Sequence, residues 1–151
     1  MNNKINPIIW KLLWPIRAYI RYSPLPRGKS FLARHLIFPI LPSKGSFTTD
    51  LGHNLEIKLR YNETLGCSIL LYGGFETAEL DFLSKKISTG DTVLDVGANI
   101  GIFSLVFANA VGVLGKVLAL EPHPHNIERL RNNIELMVLK MLKSFQLQQD
   151  N

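Results

Sequence analysis

The sequence predicts an α/β fold built on a parallel sheet, and three features carry that prediction. Thr92-Val93-Leu94-Asp95-Val96 is a short, mostly β-branched run that follows the turn pair Gly90-Asp91. It enters Gly97-Ala98-Asn99-Ile100-Gly101 and then the almost uncharged, helix-forming stretch Ile102 to Ala110. A second apolar run, Val117-Leu118-Ala119-Leu120-Glu121, begins after the turn Gly112 to Gly115. Strand, glycine turn, helix and strand in that order define a parallel unit, and both strands read as buried. A β-hairpin and a basic, apolar N-terminal segment precede this unit.

The chain has 151 residues, of which 46% are hydrophobic, enough for one domain of ordinary size with a real core. Its one cysteine, Cys67, excludes an internal disulfide and reads as a small packing residue; no Cys/His cluster has zinc spacing. The net charge of +5 is unevenly placed. Residues 1–60 hold ten Lys/Arg against two acids, +8, and the remainder therefore carries −3. The change to alternation at Gly45 sets off residues 1–44 as a basic, apolar N-terminal segment and 45–151 as the N-terminal, incomplete portion of a domain.

From Ile5 to Tyr22 the chain is apolar and basic, but Lys11 and Arg17 keep any run below the ~20 apolar residues that span a bilayer. There is no small-residue cleavage site of the secretory kind. On a helix, Ile9, Leu13, Ile16 and Ile20 share a face, and Pro15 kinks or breaks it. Docking on the globular part is the favoured expectation for this segment. The alternative is peripheral membrane contact through residues 1–22, with Trp10 and Trp14 at the interface. The location expected is cytoplasmic or membrane-peripheral.

Ser23 to Lys29, and Pro39 with Pro42, are turn-rich breaks. Alternation on Leu55, Ile57 and Leu59, after Phe47-Thr48-Thr49 and a connection containing Gly52 and His53, predicts the hairpin. His53 reads as a turn residue. Gly66 to Tyr72 is a short apolar run broken by Gly73-Gly74. A helix is expected over about Glu76 to Lys86 with Ala78, Phe82 and Leu83 inward and lysines in its last turn. Asn126 is a good N-cap for a helix whose apolar stripe is Ile127, Leu130, Ile134 and Met137 or Val138.

The glycine turn should leave backbone N–H groups and a positive helix end at the carboxyl edge of the sheet, where open α/β sheets bind ligands. A dinucleotide fingerprint needs a second glycine where Asn99 stands, and a carboxylate at Asp95 would repel a pyrophosphate. Asp95 suits a ligand with a cationic group, such as the ammonium of S-adenosylmethionine. Glu121 ends the second strand about 20 residues past the glycine turn, where Rossmann-like sites hold ribose hydroxyls. His123 and His125, flanking a proline with no third ligand, fit a loop at the cofactor's edge better than a metal site.

Tyr72-Gly73-Gly74-Phe75-Glu76, Gly90 to Gly101, and Gly115 to Pro124 resemble, in order and spacing, the motif blocks of the FkbM family of methyltransferases. The resemblance runs from about Gly45 to Leu136. It implies a Rossmann-like class I methyltransferase sheet, S-adenosylmethionine as cofactor, and O-methylation of a sugar or secondary-metabolite hydroxyl. It further implies that Asp95, Gly97, Asn99 and Gly101 line the methionine and ribose end and that Glu121 takes the ribose hydroxyls. Glu76 is carried over as a site residue. His123 departs from the family wording, where asparagine is commoner. No side chain reads as a general base, so the catalytic residues stay unassigned. The partner expected is a small-molecule or glycan acceptor, with neither nucleic acid nor metal.

A domain of this kind needs more parallel strands than follow Glu121, so the fold is expected to be truncated after the second strand–helix unit. From Met137 to Lys143 the wording leaves the family's, and one slipped nucleotide reproduces the change; a genuine helix extended by Met137, Met141 and Leu142 fits the pattern too. The slip would leave an aggregation-prone chain without activity. Two other functions stand beside the methyltransferase: a non-catalytic product with weak nucleoside binding, and a nicotinamide-dependent oxidoreductase, which Asn99 and Asp95 disfavour.

Overall fold

The computed structural model describes residues 5–52 and 55–149. The architecture is mixed α/β, with a β–α–β–α parallel unit of the Rossmann-like kind in its second half. By packing the chain divides into two compact units, Met1–Thr48 with Lys58–Phe75 and Thr49–Ile57 with Glu76–Asn151.

In the first unit the expected N-terminal helix is split. Helix α1 (Pro7–Leu12) is capped by Asn6, whose side chain accepts from the Ile8 and Ile9 N–H groups, and α2 (Trp14–Tyr22) starts at the joint before Pro15. Pro15 sits in the first turn of α2, where its missing N–H costs nothing and its ring helps set the new helix axis. Helix α3 (Lys29–Leu32) continues through a wide turn at Ala33–Ile37 and a tight one at Phe38–Ile40. Ile20, Ala33, Ile37 and Leu71 form a buried cluster, and Trp10, Leu13 and Ile16 pack against it. The N-terminal segment is thus docked, and Leu13, Ile16 and Ile20 face inward as the helical spacing selects. Ile9, by contrast, is 42% exposed, and Trp10 packs inward in its place because the helix breaks before Pro15. Gly66 to Tyr72 lies in helix α4 (Thr64–Tyr72), which Gly73 ends. Strands β1 (Ser46–Gly52) and β2 (Leu55–Arg60), whose residues are divided between the two units, pair in a two-stranded sheet, and β2 buries Leu55, Ile57 and Leu59 as its alternation requires. The His53 turn lies outside the described residues.

In the second unit α5 (Thr77–Ser84) is shorter than expected, and its inward residue is Leu80. Ala78 and Phe82 are exposed and Leu83 is 37% exposed, which corrects the predicted inward face. The reason is geometric: Ala78 and Phe82 lie 200° of helical rotation from Leu80 in either direction, so a helix that buries Leu80 turns both outward. Lys85 and Lys86 lie beyond the last turn.

Strand β3 (Thr92–Val96) pairs in parallel with β4 (Lys116–Leu120), Thr92 opposite Lys116 and Val96 opposite Leu120. Helix α6 (Ile102–Val111) connects them and packs on both strands and on α5. Its hydroxyl at Ser104 bonds Asp95, so α6 covers the face that carries Val93, Asp95, Val117 and Ala119. The opposite face is open, with Leu94 57%, Val96 73%, Leu118 43% and Leu120 54% exposed. The strands are therefore covered on one face among the described residues, and not buried on both as their continuous apolar run suggests.

Helix α7 (Pro124–Gln149) begins two residues before the predicted cap. Pro124 opens it because a fixed φ suits the first helical position, and the Asn126 and Ile127 N–H groups both donate to the His123 carbonyl. Among the residues of α7 whose side chains are described, the buried positions are Leu130, Asn133 and Met137, while Ile134 and Val138 are 40% and 48% exposed. The stripe is thus narrower than the sequence suggests and contains a polar residue. Asn133, 1% exposed, donates to the Ile100 carbonyl at 2.8 Å and ties α7 to the glycine turn.

Candidate functional site

The turn that follows β3 is built by backbone handedness. Gly97 at φ 84°, Asn99 at φ 51° and Gly101 at φ 97° are all left-handed, a conformation that glycine adopts freely and asparagine better than most side chains. A Cβ on Gly101 would stand 2.5 Å from Leu130 Cδ1, so this glycine also lets α7 approach. A Cβ on Gly97 would meet no atom within 4 Å, so space lies open over that end of the turn.

Four of the turn's N–H groups are spent within the protein. Gly97 and Ala98 both donate to the Leu120 carbonyl, at 2.8 and 3.0 Å, and Gly101 donates to the Ala98 carbonyl at 2.8 Å. The Asn99 N–H donates to Glu121 Oε2 at 2.8 Å. The expectation of free donors is therefore corrected for these four groups. The end of β4 lies alongside the turn and takes the protons that a phosphate cradle would offer.

Two carboxylates stand at the carboxyl ends of the adjacent strands. Asp95 Oδ2 accepts from Ser104 Oγ at 2.6 Å, which fixes the side chain and leaves Oδ1 as acceptor. Glu121 Oε1 accepts from the His123 N–H at 2.9 Å and from Asn126 Nδ2 at 3.3 Å. The His123 N–H bond above all, then those from Asn99 and Asn126, holds the Glu121 carboxyl below its usual pKa, against the opposing effect of desolvation. With three bonds against about four lone-pair positions, Glu121 keeps one acceptor position, on Oε2. The pair is acceptor-only and negative: it suits hydroxyls and a cationic group and repels a pyrophosphate.

Of the residues singled out in the sequence, Asn99 and Glu121 meet directly, and Gly97, Gly101 and Asp95 share the same β3–α6 turn region. Glu76 is exposed at the N-terminus of α5 in left-handed backbone, φ 48°. His123 and His125 stand edge to face with ring centroids 6.4 Å apart, at the link into α7. Sequence reasoning missed Ser104, Asn126 as a side-chain partner, and Asn133. Ser104 had a signal, being a lone hydroxyl near the start of an apolar helix.

No protein-family model matches the chain. A tRNA (guanine(37)-N(1))-methyltransferase, Trm5b, of Methanocaldococcus jannaschii is 40% identical over 58 residues, which cover 38% of this chain and 16% of that relative. The chain thus spans about a sixth of the relative it matches. The similarity is to a methyltransferase, and supports that class over an oxidoreductase.

Proposed function

We propose that the second unit binds S-adenosylmethionine and belongs to a methyltransferase of FkbM type, with a hydroxyl of a sugar or secondary metabolite as acceptor. The observation that carries this reading is the pairing of Asp95 and Glu121 at adjacent strand ends around a turn whose Gly97, Ala98, Asn99 and Gly101 N–H groups are already bonded. The remaining Oε2 position of Glu121 would take a ribose hydroxyl, and Asp95 Oδ1 would face the cationic methionine end. Gly97 leaves room for the ligand over the turn. Glu76 is kept as a site residue on family resemblance. Bound there, the cofactor supplies a methyl carbon on a cationic sulfur, open to in-line attack. The protein's contribution is then to hold that carbon in one place for the acceptor oxygen, the entropic part of catalysis.

Calorimetric titration with S-adenosylmethionine and, separately, NAD tests the site. Binding of the first and not the second, weakened by Asp95→Ala and by Glu121→Ala, supports the proposal. NAD binding, or binding of neither, overturns it. Binding without methyl transfer to any hydroxyl acceptor favours the non-catalytic alternative. Transfer to tRNA, the substrate in that relative's name, would replace the acceptor class.

A further inference from the structure

Helices α1 and α2 satisfy their packing with one side and still present large apolar residues on the other. Trp10, Leu13, Ile16 and Ile20 face the buried cluster of the first unit. A helix docked on a soluble domain ordinarily shows polar residues outward. Here Ile8 is 70% and Leu12 74% exposed, one helical turn apart on α1, and Trp14 follows at 64%. Phe31, on α3 in the same unit, is 62% exposed.

The charge of the flanking sequence has one sign. Residues 1–49 hold eight Lys/Arg and no Asp or Glu. Lys11, Arg21, Arg27 and Arg34 are exposed. Arg17 is committed inward instead, stacked 3.7 Å from the Trp10 ring and donating to the Trp10 carbonyl.

We propose that this outward face of α1 and the start of α2 is a docking surface for an anionic lipid bilayer, on which the chain lies peripherally. Docking and membrane contact by the segment are then compatible, because they use opposite sides of it, with Trp14 at the interface and Trp10, contrary to the expectation from sequence, turned inward. Among the described residues no helix is long and apolar enough to cross a membrane, which fits a surface-lying mode. Exposed lysines and arginines supply attraction to lipid phosphates, and Ile8, Leu12 and Trp14 supply the insertion that a purely electrostatic contact lacks. Those aliphatic side chains also favour lipid over RNA, since phosphate and base recognition would make no use of Ile8 or Leu12. This inference is independent of the cofactor reading.

The test is co-sedimentation of the full chain with vesicles of phosphatidylcholine alone and with 30% phosphatidylserine, at low and high salt, with a tRNA gel-shift in parallel. The expected result is at least tenfold more protein on the anionic vesicles, lost at high salt. Ile8→Glu and Leu12→Glu, each at an exposed position, should reduce that binding severalfold. In a Trp10→Phe chain the remaining Trp14 emission should shift to the blue on anionic vesicles. Equal binding to both vesicle types, indifference to both substitutions, an unshifted Trp14, or retention by tRNA without vesicle binding would each overturn the proposal.

Discussion

The Glu121 carboxylate and the Asn99 N–H are joined by a 2.8 Å hydrogen bond across 22 residues of sequence. One side chain thereby connects the end of β4 to the left-handed centre of the turn after β3, and the same carboxylate offers its last acceptor position to a ligand. If that position takes the proposed ribose hydroxyl, binding and local order are linked at this point. Glu121→Ala should accordingly weaken S-adenosylmethionine binding by roughly 10- to 150-fold, as loss of a hydrogen bond to a charged group does. Glu121→Gln, which can still accept, should lose less. Titration calorimetry separates the two, and equal losses would indicate that charge alone matters.

The pH dependence of this link has a definite sign. Folded Glu121 has a depressed pKa, chiefly through the His123 N–H. Its contribution is therefore complete above the unfolded value of about 4.3 and is lost as pH falls through the lower folded value. Protection of the Asn99 amide, followed by NMR, should hold from pH 8 down to about 5 and decline only in the acid range. In Glu121→Gln that acid step should vanish.

Gly97 and Gly101 should respond differently to alanine. Both adopt positive φ, which costs an alanine about 1–2 kcal/mol at either site. At Gly101 the new methyl also meets Leu130 Cδ1 at 2.5 Å, while at Gly97 it enters open space. Gly101→Ala should thus lower the denaturant midpoint more than Gly97→Ala. The latter should fall mainly on cofactor affinity, where the methyl enters the ligand's space.

How much of this was legible in the sequence varies with how locally each element is determined. Thr92–Val96 was read to the residue, because a β-branched run between Asp91 and Gly97 admits no other phase. The start of α7 was misplaced because Asn126 is an acceptable cap, yet the fixed φ of Pro124 starts the helix earlier and releases the Asn126 side chain to Glu121. The inward face of α5 depended on which of Leu80, Phe82 and Leu83 its neighbours would cover, which is a tertiary matter. Asp95 and Glu121 were visible as strand-end carboxylates. That the turn's donors would be consumed by Leu120 and Glu121 was not, since it depends on the register of β3 against β4.

Ser104 offers the sharpest separation of positioning from binding. Its hydroxyl donates to Asp95 Oδ2 at 2.6 Å from a position only 4% exposed, so it fixes the carboxylate without reaching the ligand's side. Ser104→Ala removes a donor and leaves a carboxylate that can turn toward solvent, so the destabilisation should be modest, about 1 kcal/mol. Cofactor affinity should fall by less than in Asp95→Ala, because the charge remains while its orientation is lost. The double variant should bind no worse than Asp95→Ala alone, since Ser104 acts through that carboxylate. Ser104→Thr, which restores the hydroxyl, should recover affinity if the added methyl packs within α6. A four-way calorimetric cycle with urea melts for each protein checks this, and independent, additive losses would remove Ser104 from the site.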